Sequence, residues 1–161
     1  MRKHLNSFNI YITVLLISIL IFINQDTNFE NLHYTIYIFI HITIIYLSIY
    51  FFKIIIYFIY FIIGIILDIF ILNEIGPHLL VFIFSPFLIS HLKKYLKNLS
   101  SVKIAFFISF FVIFCLFFEM LFTLFLFNIN LNFLLLFKGL IILSIVSYPV
   151  FFVFNKIDKI K

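Results

Sequence analysis

Residues 34–72 read YTIYIFIHITIIYLSIYFFKIIIYFIYFIIGIILDIFIL, and this stretch decides the fold. As one helix it would be about 58 Å long at 1.5 Å per residue, roughly twice the thickness of a bilayer's hydrocarbon core. The chain must therefore turn back on itself, and Lys53 marks the turn because it interrupts the apolar run. The pattern predicts two membrane-spanning helices joined by a short connection.

The rest of the chain has the same character. Of its 161 residues, 66% are hydrophobic and 11% are charged, and its mean hydropathy is +1.30. A soluble domain has only about 45–50% apolar residues. We predict an all-α integral membrane protein, residues 1–161 forming a single polytopic domain, because this length allows about six spans of roughly 20 residues. The six apolar runs are 8–23, 34–52, 54–72, 79–92, 104–127 and 131–154.

The basic residues predict the orientation of these spans. Ten of the eleven Lys and Arg residues fall on alternate connections or at the two ends, whereas the connections 24–33, 73–78 and 128–130 contain none. Under the positive-inside rule the lysine-bearing side is cytoplasmic, so both ends are predicted there, and a five-span arrangement would break this agreement. The net charge of +5 is thus attributed to topology rather than to nucleic-acid binding. The segment 93–103 is expected to attract anionic lipid or to contact a cytoplasmic protein.

Four ionisable residues stand out inside the predicted spans: His41, Asp68, Glu119 and Lys138. Each such group costs about 2.5–3.5 kcal/mol to insert, so each needs a partner or a role. All four are expected about 6–12 Å below the outer end of their spans, counted at 1.5 Å per residue. We hypothesise a buried polar cluster in which Lys138 neutralises a carboxylate. The alternative is that Lys138 and Asp68 extend to the outer interface, while Glu119 faces the bundle and His41 is a satisfied interior histidine.

Sequence motifs do not indicate an enzyme. The chain has no H-E-x-x-H, no G-x-S-x-G, no P-loop and no His or Cys set spaced to bind a metal, so no cofactor or metal is expected. Two alternatives stay open: Asp68 and Glu119 as an acid–base pair, and an ion-coupled carrier with carboxylates in its bundle. The carrier is disfavoured because no Gly/Pro-interrupted segments recur in two halves of the chain.

One segment resembles a known family. Residues 64–80, GIILDIFILNEIGPHLL, look like the signature of the rod shape-determining protein MreD family, in which a Gly precedes an Asp by four residues near the end of a membrane helix. A short outer loop with another Gly then leads into a helix with a basic cytoplasmic end, here Lys93 and Lys94. The resemblance covers the whole chain in outline and residues 64–94 in detail.

Four residues of this segment are candidates for a structural or partner-contact role. Gly64 lies one helical turn before Asp68, so a neighbouring helix is expected to approach Gly64 while Asp68 accepts hydrogen bonds from that helix or from the loop. Gly76 is expected to supply a positive φ, and Pro77 to occupy the first turn of the next helix. Within that helix, Pro86 is expected to cause a kink or a break.

The resemblance implies a non-enzymatic scaffold in the bacterial cytoplasmic (inner) membrane, acting in cell elongation and lateral peptidoglycan synthesis. The partners it implies are an MreC-like bitopic protein, the MreB filament, and a membrane glycan polymerase and transpeptidase. The MreD fold is similar to substrate-binding subunits of energy-coupling transporters, so the alternative is a small-molecule-binding transport subunit. A binding subunit should enclose a pocket with convergent polar groups, whereas a scaffold should present a lipid-facing groove of small residues, for which Gly64 and Gly139 are candidates.

Overall fold

The computed structural model describes residues 2–24, 30–51, 54–96, 98–127 and 133–159. These residues form six α-helices joined by short connections, and they contain no strand, so the predicted all-helical architecture is confirmed. In chain order the helices are α1 (Arg2–Ile23), α2 (Glu30–Tyr50), α3 (Ile54–Leu72), α4 (Pro77–Leu96), α5 (Ser101–Phe127) and α6 (Phe133–Lys159).

Five of the described helices, α2 to α6, are long and apolar enough to cross a membrane. The apolar part of α1, Phe8–Ile23, is shorter; its 16 residues span about 24 Å against a hydrocarbon core of about 30 Å. Large apolar side chains cover the outer surface, and Ile54 and Phe106 are 89% and 73% exposed. Because exposed apolar area of this extent is unfavourable in water, the fold is that of a multi-pass membrane protein.

Helix α2 is the centre of the bundle and contacts each of the other five helices. Its isoleucines at 38, 40, 42, 44 and 45 are all buried, as is typical of a helix that is apolar on every side. Its hydroxyl groups bind its own backbone, since Thr43 donates to the Phe39 carbonyl and Ser48 to the Ile44 carbonyl. No polar group on these two side chains is therefore left unsatisfied by burial.

Contacts near the helix ends show that consecutive helices run antiparallel. At one end of the bundle, Phe22 near the end of α1 stacks on His33 near the start of α2, with ring centroids 4.0 Å apart. At the same end, Asp68 near the end of α3 contacts His78 near the start of α4. We call this the polar end.

The opposite end is held by aromatic rings and carries the described lysines of α4, α5 and α6 other than Lys138. Tyr11 of α1 packs edge-on against Phe154 of α6, with centroids 5.0 Å apart, and against Tyr46 of α2 at 5.3 Å. The Tyr11 hydroxyl donates to the Phe154 carbonyl oxygen at 3.2 Å, which satisfies a buried donor. We call this the lysine end; the lysines with described side chains there are Lys93, Lys94, Lys103 and Lys156.

The two prolines of α4 differ in how well their predicted effects on the helix agree with the structure. The helix begins at Pro77, the first-turn position predicted for it, where the missing N–H of proline costs nothing. The helix continues through Pro86, so the break that was one of the two outcomes expected there does not occur. Pro86 is buried in the bundle, where it packs against the other helices.

Candidate functional site

The start of α4 is capped by a carboxylate from α3. An α-helix begins with backbone N–H groups that have no partner within the helix. Pro77 has no N–H, and Asp68 accepts from the next two, those of His78 at 2.9 Å and Leu79 at 3.0 Å. Asp68 also accepts from the Gly76 N–H at 2.8 Å, and Leu80 donates to the Gly76 carbonyl. Every donor of this buried first turn is thereby satisfied.

A histidine completes the environment of Asp68. The Nδ1 atom of His78 lies 2.7 Å from Asp68 Oδ1, so each carboxylate oxygen has two partners. Both side chains are buried, Asp68 completely. A buried carboxylate is costly unless it is paired and fully hydrogen-bonded, and this one meets both conditions. The positive end of the α4 dipole adds to its stabilisation.

Glycine at position 64 lets α4 come close enough for these bonds. A Cβ atom at Gly64 would lie 2.8 Å from the Cα of Leu79 and 3.3 Å from its backbone nitrogen, closer than side chains tolerate. The contact is with backbone, so a rotamer change cannot relieve it. Gly64 and Asp68 therefore act on one face of α3, Gly64 by its lack of a side chain and Asp68 by its hydrogen bonds.

The loop between α3 and α4 turns at a different residue from the one expected. Gly76 does not have a positive φ, so that prediction is wrong; Asn73, at φ 56°, takes the left-handed conformation instead. Asn73 directly follows the last residue of α3, where a residue in this conformation commonly ends a helix, and asparagine tolerates it better than most residues. Gly76 instead presents its N–H to Asp68.

A second buried carboxylate, Glu119 of α5, is bound by two residues of α2. The Tyr37 hydroxyl donates to Oε2 of Glu119, and Nε2 of His41 lies 2.9 Å from Oε1. The other ring nitrogen of His41, Nδ1, lies 3.0 Å from the carbonyl oxygen of Tyr37. Tyr37 and His41 are one helical turn apart, so both side chains lie on the face of α2 that meets α5.

With one proton between Nε2 of His41 and Oε1 of Glu119, the His41–Glu119 pair carries no net charge in either arrangement of that proton. Nδ1 of His41 faces a carbonyl oxygen, which only accepts, so Nδ1 carries a hydrogen. The remaining proton lies either on Nε2, giving an imidazolium and a carboxylate, or on Glu119, giving a neutral imidazole and a carboxylic acid. Both forms sum to zero, which reduces the cost of burying the pair in a membrane.

The Tyr37 ring joins the two carboxylate sites into one group. Its hydroxyl binds Glu119, while its ring packs edge-on against His78 with centroids 5.9 Å apart. Phe82 of α4 closes the other side of His41 at 4.9 Å. The polar cluster therefore links α2, α3, α4 and α5 at the polar end; its members are Tyr37, His41, Asp68, His78 and Glu119.

Lys138 was predicted to neutralise one of the buried carboxylates, but it does not join the polar cluster. Both ion pairs found among the described residues use a histidine, and Lys138 is half-buried on α6. Its neighbour Gly139 faces α2, where an added Cβ would lie 2.8 Å from the Tyr34 hydroxyl oxygen. One residue along a helix turns the side chain by about 100°, so Lys138 points away from that contact.

Tyr37 and His78 belong to the polar cluster although the sequence did not predict them as members. Tyr37 had a usable signal, because it precedes His41 by four residues and shares its face. His78 follows the proline that starts a helix, so its backbone N–H and its ring both meet the carboxylate that caps that helix. No group of three metal-ligating side chains is present in the described part of the chain.

Comparisons with family models, with curated proteins and with solved structures find no match to this chain.

Proposed function

We propose that this protein is a non-enzymatic membrane scaffold of the bacterial cell-elongation machinery, resembling MreD, in the cytoplasmic membrane. In this role it would bind the single transmembrane helix of an MreC-like protein and, through it, couple the MreB filament to the glycan polymerase and transpeptidase of lateral wall synthesis. The observation that carries the proposal is the Gly64–Asp68 arrangement, because it lies in the segment that resembles the family.

The contacts of this segment support a structural role for it. Asp68 and Gly64 fix α3 against α4 through backbone atoms, and α3 and α4 are the pair of helices in most extensive contact. The outer face of the same pair carries exposed apolar side chains, including Phe70 and Phe84 at 51% and 55% exposure. A rigid helical hairpin with an apolar outer face offers a fixed surface against which a partner's membrane helix can pack by van der Waals contact, although it is not the groove of small residues expected from the sequence.

The proposed topology has six spans with both ends in the cytoplasm. The antiparallel order puts the ends of α4 and α6 and the start of α5 on one side, together with the four described lysines of that side. Helix α1 completes the pattern if it crosses as well, since its 22 residues reach about 33 Å with the polar N-terminal turns included. This arrangement satisfies the positive-inside rule.

The chemistry of the polar cluster favours the scaffold over a small-molecule-binding subunit. Its carboxylates are paired with histidines, a tyrosine and backbone N–H groups, so they are engaged within the fold. A groove between α4 and α5 is lined by Phe84, Leu88, Phe114 and other side chains that are all apolar except Ser85. Convergent polar groups that fix a ligand's orientation are typical of small-molecule sites, and this groove is apolar instead.

The test is a pull-down from bacterial membranes in mild detergent that compares wild type with Asp68→Ala. Glu74→Ala is the matched control, because Glu74 is an exposed carboxylate of the same loop. Wild type and the control are expected to retain an MreC-like protein and wall-synthesis proteins, and Asp68→Ala is expected to lose them. Thermal stability of each variant in detergent is measured in parallel.

The outcomes separate the two classes of function. Recovery of a transporter ATPase and its membrane coupling subunit with the wild-type protein would overturn the scaffold in favour of the transport alternative. Equal recovery of the wall-synthesis proteins by wild type and Asp68→Ala would show that Asp68 neither contacts the partner nor supports the surface that contacts it. Gly64→Leu, which separates α3 from α4 without removing a charge, shows whether loss of partners follows from the hairpin's geometry.

A further inference from the structure

A groove of about 430 Å³ runs between α5 and α6 at the lysine end. Its floor is made by small side chains, Ala105 and Ser109 one turn apart on α5 and Ser147 on α6. Its walls are large and open to the outside, since Phe106 is 73% exposed and Tyr148 79%. Helix α6 is also the least buried of the five long apolar helices, so this face lacks a covering helix.

The two serines on the groove floor differ from the other helical hydroxyl groups. The nine other serines and threonines whose side chains are described within the helices each have a hydrogen bond or another polar contact. Among the described residues, Ser109 and Ser147 have no hydrogen-bond partner, although both line the groove. Two hydroxyl donors therefore line a channel that is otherwise apolar except for the exposed Tyr148, and an unpaired polar group is costly there.

The position and charge of the groove define its occupant. From Val102 to Ser109 the groove extends about 10 Å along α5. This is shorter than the half of the hydrocarbon core that a single leaflet contributes. Lys103 and Lys156, both exposed, lie within a turn of groove residues at its lysine end. An anionic group at that level is attracted by both ammonium groups, as in basic pockets between membrane helices that bind lipid head groups.

We propose that this groove binds an anionic glycerophospholipid of the lysine-side leaflet. Its phosphate lies between Lys103 and Lys156, its glycerol group fills the channel over Ala105, and its ester oxygens accept from the Ser109 and Ser147 hydroxyls. A partner's transmembrane helix fits less well, because it would need a groove across about 30 Å of the bilayer. The inference does not depend on the proposed scaffold role.

The test counts bound lipids by native mass spectrometry on detergent-purified protein titrated with phosphatidylglycerol or with phosphatidylcholine of the same acyl chains. Wild type is expected to bind one phosphatidylglycerol preferentially. Lys103→Gln with Lys156→Gln is expected to weaken this binding roughly 30-fold and to remove the preference. Ser109→Leu with Ser147→Leu fills the channel and is expected to abolish binding of both lipids at this site.

The controls are chosen at the same end of the bundle. Lys94→Gln removes an exposed lysine of α4, and Thr13→Leu places leucine at an exposed hydroxyl position of α1; both are expected to bind like wild type. The milder pair Ser109→Ala with Ser147→Ala keeps the channel open and should weaken binding several-fold, which serves if the leucine variants fold poorly. Equal affinity for the two lipids in wild type, or equal losses in Lys94→Gln, would overturn the proposal. So would loss of a copurifying membrane protein, with lipid binding unchanged, in the leucine variants.

Discussion

The two ends of the bundle are held together by different chemistry. At the polar end, two buried carboxylates bind histidines, a tyrosine and backbone N–H groups across four helices. At the lysine end, aromatic rings of α1, α2 and α6 pack around Tyr11, with one hydroxyl-to-carbonyl bond. Directional bonds specify which helices meet and at what height, whereas ring packing tolerates small shifts. The polar end is therefore expected to determine the helix arrangement.

The largest expected effect comes from Asp68→Ala. It leaves three backbone N–H groups and the His78 ring without their acceptor, and removing one partner of a buried pair costs about 3–5 kcal/mol. Reversible unfolding in mixed micelles measures this free energy. A cost below about 1 kcal/mol would mean that water or lipid head groups replace the carboxylate, and the polar end would then not be the dominant constraint.

The second prediction concerns Glu119. Glu119→Leu leaves His41 and the Tyr37 hydroxyl without their carboxylate partner and is expected to lower the free energy of unfolding by about 2–4 kcal/mol. Glu119→Gln keeps an acceptor and is expected to lower it less. Combining Glu119→Leu with His41→Leu is expected to recover part of the loss, since an apolar pair can replace a buried ion pair. Strictly additive losses in this double-mutant cycle would indicate that the two side chains are not coupled.

Two glycine substitutions test the close approach of α3 and α4. Gly64→Ala is expected to destabilise by about 1–3 kcal/mol because its Cβ meets backbone at 2.8 Å. Gly76→Ala is the matched control: its Cβ would meet side chains rather than backbone, the end of Leu126 at 3.0 Å and the Phe127 ring at 3.6 Å, and its φ is not positive, so about 0.5 kcal/mol or less is expected. Thermal melting in detergent ranks the two, and a reversed order would contradict the described packing.

The smallest effect is expected at the lysine end. Tyr11→Phe removes the bond to the Phe154 carbonyl but keeps the ring contacts, and hydrogen bonds between membrane helices average about 0.6 kcal/mol. The comparable change at the polar end, Tyr37→Phe, removes a donor to a carboxylate and should cost more. Unfolding measurements on both variants sharpen the comparison, and equal costs would argue that the two ends are held by similar interactions.

Much of the fold was predictable because membranes impose strong length and hydropathy requirements. The boundaries of α3 match the predicted run of residues 54–72, and Pro77 begins α4 as its fixed φ favours. The spacing of Gly64 and Asp68 showed that both lie on one face of a helix. These are local properties, readable over one or two turns.

The partners of the buried carboxylates depend on which helices are neighbours, and the sequence does not contain that information locally. Glu119 meets His41, which is 78 residues away, rather than Lys138, which is 19 residues away. Gly64 and Gly139 were candidates for a partner's groove, yet both pack against helices of the same chain. The turn at Asn73 instead of Gly76 shows a further limit, since asparagine competes with glycine for a left-handed position.

The separation along the chain between each carboxylate and its partners has a consequence for biosynthesis. His78 leaves the ribosome ten residues after Asp68, about 0.5–2 s later at 5–20 residues per second. The α3–α4 hairpin can thus satisfy the hydrogen bonds of its own carboxylate as a unit while it inserts. Glu119 is translated long after Tyr37 and His41, so the side chains that bind it are already in the membrane when α5 arrives. Neither carboxylate therefore stays unpaired in lipid until a distant, later segment of the chain is translated.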